Sequence, residues 1–340
     1  MAVAHPAQRR AGLPGLAAAR LAPSAHNTQP WRFQPDGRGV LLGWDAAREL
    51  PAGDPHGDYL LAGLGAAAES LALGAAAAGL VAQVRFAPCP ARRVAGRVDL
   101  TPGAAPPADL ALAAAIPQRH TARLPFHDRA VPAAVLGRVG AAAERHGCHL
   151  VVVTGRRRVE RIAALIEEGT ARNLADPAVF AEFAGWLRPR PGDPRRDGLP
   201  LDTLGLGWAG AAAARWALRP GPMRLLAAAG LHRTAARTQA RLARRSPAFC
   251  LLVARSDEPA ARFDGGRALL RGWLAATAAG LRVHPMTAAM DHADTRAALA
   301  EAFGVPAGAP LLVVCARLGE GPAAPARSPR LPAAALLPGG

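Results

Sequence analysis

Two stretches of this 340-residue chain read as copies of one helix, and that duplication constrains the fold more than any other feature. Gly65-Ala-Ala-Ala-Glu-Ser-Leu-Ala-Leu-Gly-Ala-Ala-Ala-Ala-Gly-Leu80 aligns without a gap with Gly266-Arg-Ala-Leu-Leu-Arg-Gly-Trp-Leu-Ala-Ala-Thr-Ala-Ala-Gly-Leu281. Gly266, Ala268, Leu274, Ala276, Ala278, Gly280 and Leu281 each stand opposite an identical residue. Small residues let two helix backbones approach closely, so the pattern predicts a pair of like helices at the centre of a chain made of two halves. Within the first copy, Gly63-x-Gly65-x-x-Ala68 superficially matches a dinucleotide-binding fingerprint, but no clear strand leads into it, and a packing role fits better.

The remaining pattern predicts an α+β fold. Val40–Trp44, Leu150–Thr154, Phe249–Ala254 and Leu311–Ala316 are short apolar runs of strand type, drawn from both halves. Helices are expected over Arg224–Arg245 and Asp291–Phe303, and the segment Tyr59–Phe86 reads as one buried helix. That segment carries Glu69 and is mostly Ala and Gly, too weakly apolar for a confident membrane span. A Pro-rich boundary near Pro102–Pro107 divides the chain into halves 1–107 and 108–340. The Pro/Gly/Arg-rich stretch Arg188–Pro222 has the composition of a lid or linker.

The formal charge of +16 comes from arginine alone, since the chain contains no lysine. The arginines are scattered and form no stripe interleaved with aromatics, which argues against a nucleic-acid partner. Cys89, Cys148, Cys250 and Cys315 are far apart and form no C-x-x-C pair, so they read as buried thiols of a cytoplasmic protein. No segment at the start reads as a signal core, and no H-x-x-x-H or H-E-x-x-H pair points to a metal site.

Three strings carry chemistry. Ala22-Pro-Ser-Ala-His-Asn-Thr-Gln-Pro-Trp-Arg-Phe33 offers small Pro23, Ser24 and Ala25 that admit a flat ligand to the backbone. Asn27 and Gln29 add the alternating donors and acceptors that a heterocycle edge requires, Trp31 reads as the core anchor of the loop, and His26 faces solvent or the lid. Gln118-Arg-His-Thr-Ala-Arg-Leu-Pro-Phe126 places Arg119, Thr121 and Arg123 close enough to grip one terminal phosphate. Ala326-Arg-Ser-Pro-Arg-Leu-Pro332 brings Ser328 and a further cation, Arg330. Taken singly, the last two strings also suit an ordinary turn or a loose basic tail.

Taken together, the strings resemble those of the nitroreductase superfamily. The resemblance implies an α+β nitroreductase fold and a bound FMN, with phosphate contacts from Arg119, Thr121, Arg123 and Arg330. It implies flavin contacts from Pro23, Ser24, Ala25 and Asn27, and a course along the flavin ring for Pro285, Met286, Thr287 and Ala288. The arrangement departs from ordinary members, where each subunit carries both the arginine string and the Pro-Ser string. Here each occurs once, in different halves, and the first half has only Arg9-Arg10-Ala-Gly where a phosphate string would stand.

A complete site therefore needs both halves, and one FMN per chain is expected in a monomer that acts as a pseudo-dimer. This asymmetric tandem design is similar to the Acg-like branch of the superfamily. The implied activity is hydride or electron transfer from NAD(P)H, a transient donor, to nitro, quinone or related small molecules, with no protein acid or base required. The rival reading is a flavin-sequestering protein with little turnover, in which Arg188–Pro222 covers the cofactor permanently.

Overall fold

The computed structural model describes residues 12–37, 39–190, 192–217, 230–306, 312–322 and 327–338. The strands are β1 (Trp31–Pro35), β2 (Gly39–Trp44), β3 (Leu80–Cys89), β4 (Val94–Pro102), β5 (Cys148–Thr154), β6 (Leu187–Arg188), β7 (Leu199–Pro200), β8 (Ala248–Ala254), β9 (Arg282–Pro285) and β10 (Leu312–Gly319). The helices are α1 (Leu16–Ala19), α2 (Asp58–Ala76), α3 (Pro107–Ala115), α4 (Ala133–Glu144), α5 (Arg156–Ala175), α6 (Pro177–Trp186), α7 (Gly207–Ala217), α8 (Leu231–Arg244), α9 (Pro259–Ala278) and α10 (Ala293–Phe303). The expected helix over Arg224–Arg245 is α8, and the part of it before Gly230 lies outside the described residues.

The first sheet has the order β1-β2-β4-β3 and the second β5-β8-β10-β9, with neighbours antiparallel throughout. The two orders are the same when strands are counted within each sheet. In both, a copy of the repeat helix connects the second strand in sequence to the third: α2 joins β2 to β3, and α9 joins β8 to β9. Each copy is followed by a left-handed glycine, Gly79 at φ 77° and Gly280 at φ 78°, a conformation only glycine adopts freely. That turn corrects the expectation of one helix from Tyr59 to Phe86, because the helix stops at Ala76 and Leu80–Cys89 pairs with β4.

α2 and α9 run parallel and touch along their length, as Asp58–Arg262, Ala62–Gly266 and Glu69–Arg271 contacts at near-constant offset show. Of the described helices only α2 is long and apolar enough to cross a membrane, and most of it is buried inside the protein. The first sheet packs Trp31, Phe33, Val40, Leu42 and Val98 against Leu64, Ala68 and Leu71 of α2. Leu331, Leu336 and Leu337 from the chain's end complete that core, so the C-terminal segment crosses from the second sheet back to the first. β8 is buried along its whole length, with α5 and α10 covering one face of its sheet and α4 and α9 the other. Of the thiols expected to be buried, Cys148, Cys250 and Cys315 are, while Cys89 on the open face of β3 is half-exposed.

Candidate functional site

Between α1 and β1 the chain turns through Pro23–Pro30 with three non-glycine residues in the left-handed region: His26 (φ 47°), Asn27 (φ 56°) and Gln29 (φ 53°). Such strain persists only where surrounding contacts impose it, and it concentrates at ligand sites. Here the contacts are explicit. Ser24 Oγ accepts from Gln29 N at 3.0 Å, Trp31 anchors the following strand in the core with no exposed surface, and Gly63 of α2 lies against Pro23 and Ser24.

Asn27 is the hub of the loop. Its Nδ2 donates to Gly198 O and to Pro329 O, each at 3.0 Å, and its Oδ1 accepts from Arg330 Nη1. The structure thus joins Asn27 of the first half to Arg330 near the C-terminus. Gln29, expected to meet the flavin, is wholly enclosed. Its Nε2 donates to Arg196 O at 2.9 Å and its Oε1 accepts from Leu331 N at 2.9 Å, so its amide braces the loop.

Arg119 and Arg330 meet at the Leu21 carbonyl, which accepts from Arg119 Nη2 at 2.8 Å and from Arg330 Nη2 at 3.4 Å. Arg119 is buried, stacks its guanidinium 4.6 Å from the Trp273 ring centroid, and has an Nε without a hydrogen-bond partner. Burial, then the charges of Arg330 and Arg327, hold it well below the usual arginine value. Burial, then Arg20, pulls Arg330 down to about 10. Arg20 Nε is a second buried donor without a partner. Among the described residues no carboxylate pairs with Arg20, Arg119, Arg327 or Arg330. A cluster of guanidinium groups built around a buried arginine, with orphan buried donors and no carboxylate partner among the described residues, suits an anion with several acceptor oxygens, and a phosphate monoester fits that description.

The other expected residues sit as follows. Thr121 forms a parallel bridge to Val283, and Arg123, brought down to about 10 by burial, donates to Thr203 O at 3.2 Å. Pro285 ends β9, Met286 turns its side chain into the core, and Ala288 O packs against Gly169 of α5. Thr287 lies beside the Tyr59 hydroxyl, which donates to Asp291. Pro23, Ala25 and Ser328 are partly exposed. Among the described residues no hydrogen bond joins the 285–288 segment to the Asn27 loop.

The stretch expected to be a lid is more ordered than its composition implies, since it holds β6, β7 and α7. Its portion beyond Ala217 lies outside the described residues. Asp197 fastens it: buried Arg188 reaches Asp197 Oδ1 at 2.7 Å, and Arg48 bridges Asp197 Oδ2 at 2.9 Å to Thr28 O at 2.7 Å. Gly198 N donates to Asn27 O at 3.2 Å. His26 packs edge-on against Phe183 of α6, just ahead of that stretch, at 5.2 Å, and burial followed by Arg123 lowers it to about 4. Nothing in the sequence singles out Arg20, Asp197 or Tyr59 as parts of the site, because each stands outside the three strings.

No protein-family model matches the chain. Among curated proteins, the Mycobacterium tuberculosis H37Rv protein named "Putative NAD(P)H nitroreductase Rv3131" is 30% identical over 288 residues, spanning 83% of this chain and 78% of that protein. Its counterpart in strain CDC 1551 gives the same values. Among solved structures, the FMN-dependent nitroreductase NfnB from Mycobacterium smegmatis in complex with NADPH shares 21% identity at a TM-score of 0.42, covering 65% of this chain and 94% of that one. Oxidized iodotyrosine deiodinase bound to FMN and 3-iodo-L-tyrosine shares 15% identity at a TM-score of 0.41, covering 65% and 95%.

Proposed function

The chain belongs to the nitroreductase superfamily, and on that premise we propose that it is an FMN-dependent oxidoreductase holding one flavin between two fused halves, 1–107 and 108–340. The observation that carries the reading is the pair of buried Arg119 and partly buried Arg330 at the Leu21 carbonyl, with Arg20 beside Arg330 and no carboxylate partner among the described residues. Arg119 and Arg330 hold the FMN phosphate there, with Thr121 and Arg123 on the same segment and Ser328 on the same tail as Arg330. Pro23, Ser24, Ala25 and Asn27 border the ring system, and the backbone of Pro285–Ala288 runs along its other edge. Bound FMN supplies the hydride or electron transfer from NAD(P)H to nitro, quinone or related acceptors. The protein binds, orients and excludes water, and the free thiols suit a reducing cytoplasm.

Two fused halves are supported by the shared strand order and by the placement of the repeat helices. The asymmetric division of the site between them is the Acg-like design. One specific observation favours a second reading, a flavin-sequestering protein: Arg196 and Gly198 of the lid spend their backbone groups on Gln29 and Asn27, which ties the lid onto the loop. Anaerobic mixing of the purified yellow protein with NADPH tests the proposal. Bleaching of the flavin band, and its return on adding a quinone, is the result expected of a reductase; a band that stays oxidised selects the sequestering reading, and a colourless preparation that takes up no FMN overturns both.

A further inference from the structure

β10 carries Arg317 opposite His284 of β9, and the Arg317 side chain is completely enclosed. Its Nε donates to His284 Nδ1 at 3.1 Å, and its Nη2 donates to two carbonyls, Ala122 O and Leu124 O, each at 2.8 Å. The guanidinium also lies 4.1 Å from the Phe126 ring centroid and reaches Leu242 O at 3.4 Å. Burial brings Arg317 down to about 9, and among the described residues no carboxylate pairs with it. An arginine buried without a counter-charge is costly to a fold. What it obtains in this place is control of one segment.

That segment runs from Arg119 to Leu124. Thr121 bridges Val283 in parallel, and Ala122 N donates to Val283 O at 3.0 Å, so the run adds a short edge to the second sheet. The carbonyls of Ala122 and Leu124 both accept from Arg317, so one guanidinium holds the two residues that flank Arg123. His284 accepts through Nδ1, which places its hydrogen on Nε2 and requires the neutral ring. Burial, then the charges of Arg317 and Arg123, holds that ring well below its ordinary value.

We propose that Arg317 is the positioning residue of the phosphate-binding segment: with neutral His284 as its acceptor, it fixes the carbonyls of Ala122 and Leu124 so that Arg119, Thr121 and Arg123 converge on the phosphate of FMN. The inference rests on the proposed phosphate site. It gives Arg317 a ligand-specific effect, because riboflavin has the same ring system and no phosphate. Lysine keeps the charge but lacks the planar fork that spans two carbonyls and an imidazole at once.

The experiment is titration of the full-length apoprotein with FMN and with riboflavin in wild type, Arg317→Lys, Arg317→Met and the double variant Arg119→Ala/Arg123→Ala. The expected result is an FMN Kd raised by about tenfold or more in both Arg317 variants, with riboflavin affinity changed by less than about twofold. Adding Arg317→Lys to the double variant is expected to weaken FMN little further, since the two changes disable one device. Equal losses for FMN and riboflavin reduce Arg317 to a general structural role and overturn the inference, as does unchanged FMN affinity. Should Arg317→Met not fold, Arg317→Lys decides by the same comparison. If the double variant itself loses FMN and riboflavin alike, the phosphate reading has failed and this inference falls with it; if the double variant loses FMN selectively and Arg317→Lys does not, the inference alone is wrong.

Discussion

Gly65 and Gly266 are packed reciprocally: a Cβ on Gly65 would stand 1.8 Å from Phe263 O, a Cβ on Gly266 would stand 1.8 Å from Ala62 O, and each of those carbonyls lies three residues before the other glycine. The contact is reciprocal and leaves no room for a side chain at either position. Gly65→Ala should therefore force the helices apart and cost about 3 kcal/mol, the upper part of the range for overpacked cores. Gly63→Ala is the control, since its Cβ would meet nothing nearer than 3.8 Å. Urea midpoints at unchanged m-value measure the difference, and equal midpoints for the two variants contradict the close packing of the pair.

The anion site predicts that Arg119→Met weakens FMN without weakening the apoprotein. Replacing a buried, uncompensated cation by an apolar side chain of similar length removes a desolvation cost. Loss of one hydrogen bond to a charged group is worth about 1.5–3 kcal/mol, or roughly a 10- to 150-fold rise in the FMN Kd. Fluorescence titration with FMN, beside thermal unfolding of the apoprotein, reads both quantities. A destabilised apoprotein with normal FMN affinity would make Arg119 a structural residue.

How much of this was legible in the sequence depends on whether a local pattern carried the information. The repeat is visible because close helix contact demands glycine at Gly65 and Gly266 and because each helix stops at a left-handed glycine, Gly79 or Gly280. The Asn27 loop and the Arg119 segment are visible as short strings whose residues act together. β3 is missed although Leu80-Val-Ala-Gln-Val-Arg-Phe86 alternates, because an alanine-rich helix runs straight into it and small residues blur the change of period. Arg20, Arg188 and Arg317 are invisible for another reason. In a chain whose basic side chains are all arginine, nothing local separates a buried guanidinium from a solvated one, and only long-range contacts between β10, the lid and the 119–124 segment reveal them.

The lid should loosen when Asp197 is lost. Asp197→Ala leaves Arg188 buried without its partner and releases Arg48 from the lid, and breaking a buried pair in this way costs about 3–5 kcal/mol. The expected outcome is FMN release at least about tenfold faster than wild type, followed as recovery of free-flavin fluorescence after dilution. Unchanged release would mean that the Asn27–Gly198 hydrogen bonds hold the lid without Asp197.

Glu69 of α2 predicts a specific acid sensitivity. Burial by itself raises its carboxyl, but His146, whose Nε2 lies 3.2 Å from Glu69 Oε2, and the charges of Arg267 and Arg271 outweigh that and hold it at about 2, against an ordinary value of 4.5. A depressed carboxyl contributes stability that is complete above pH 4.5 and is lost as the pH falls towards about 2. A tenfold difference in proton affinity between the folded and unfolded chain corresponds to about 1.4 kcal/mol, so about 3 kcal/mol should disappear in that window. Glu69→Gln should be destabilised at neutral pH, with Arg271 left short of a partner, and should lose less stability on acidification than wild type. Parallel slopes for the two proteins between pH 4.5 and about 2 would show that the α2–α9 ion cluster does not report the interface.

The last prediction concerns stoichiometry. In the first half the loop Pro23–Pro30 precedes β1, whereas the place before β5 in the second half is taken by the tight turn after α4, where Gly147 N donates to Glu144 O at 3.1 Å. No flavin loop fits in that turn. After β10 the chain returns to the first core carrying Arg330, but after β4 it enters α3 directly, so the opposite site also lacks the second arginine tail. Where its phosphate string would stand, the sequence has Arg9 and Arg10, which lie outside the described residues and have no hydroxyl at the spacing of Thr121. Losing the phosphate contacts alone should weaken the second site by several kcal/mol, on the order of a hundredfold or more. On the proposed reading the two halves meet within one chain, so the flavin-bearing species should be a monomer. Titration of the apoprotein with FMN, combined with light scattering of the loaded protein, checks both statements: saturation near one flavin per chain in a monomer is the expected result, while two equivalent flavins per chain, or a dimer that sheds its flavin on dissociation, would show that the halves have been wrongly paired.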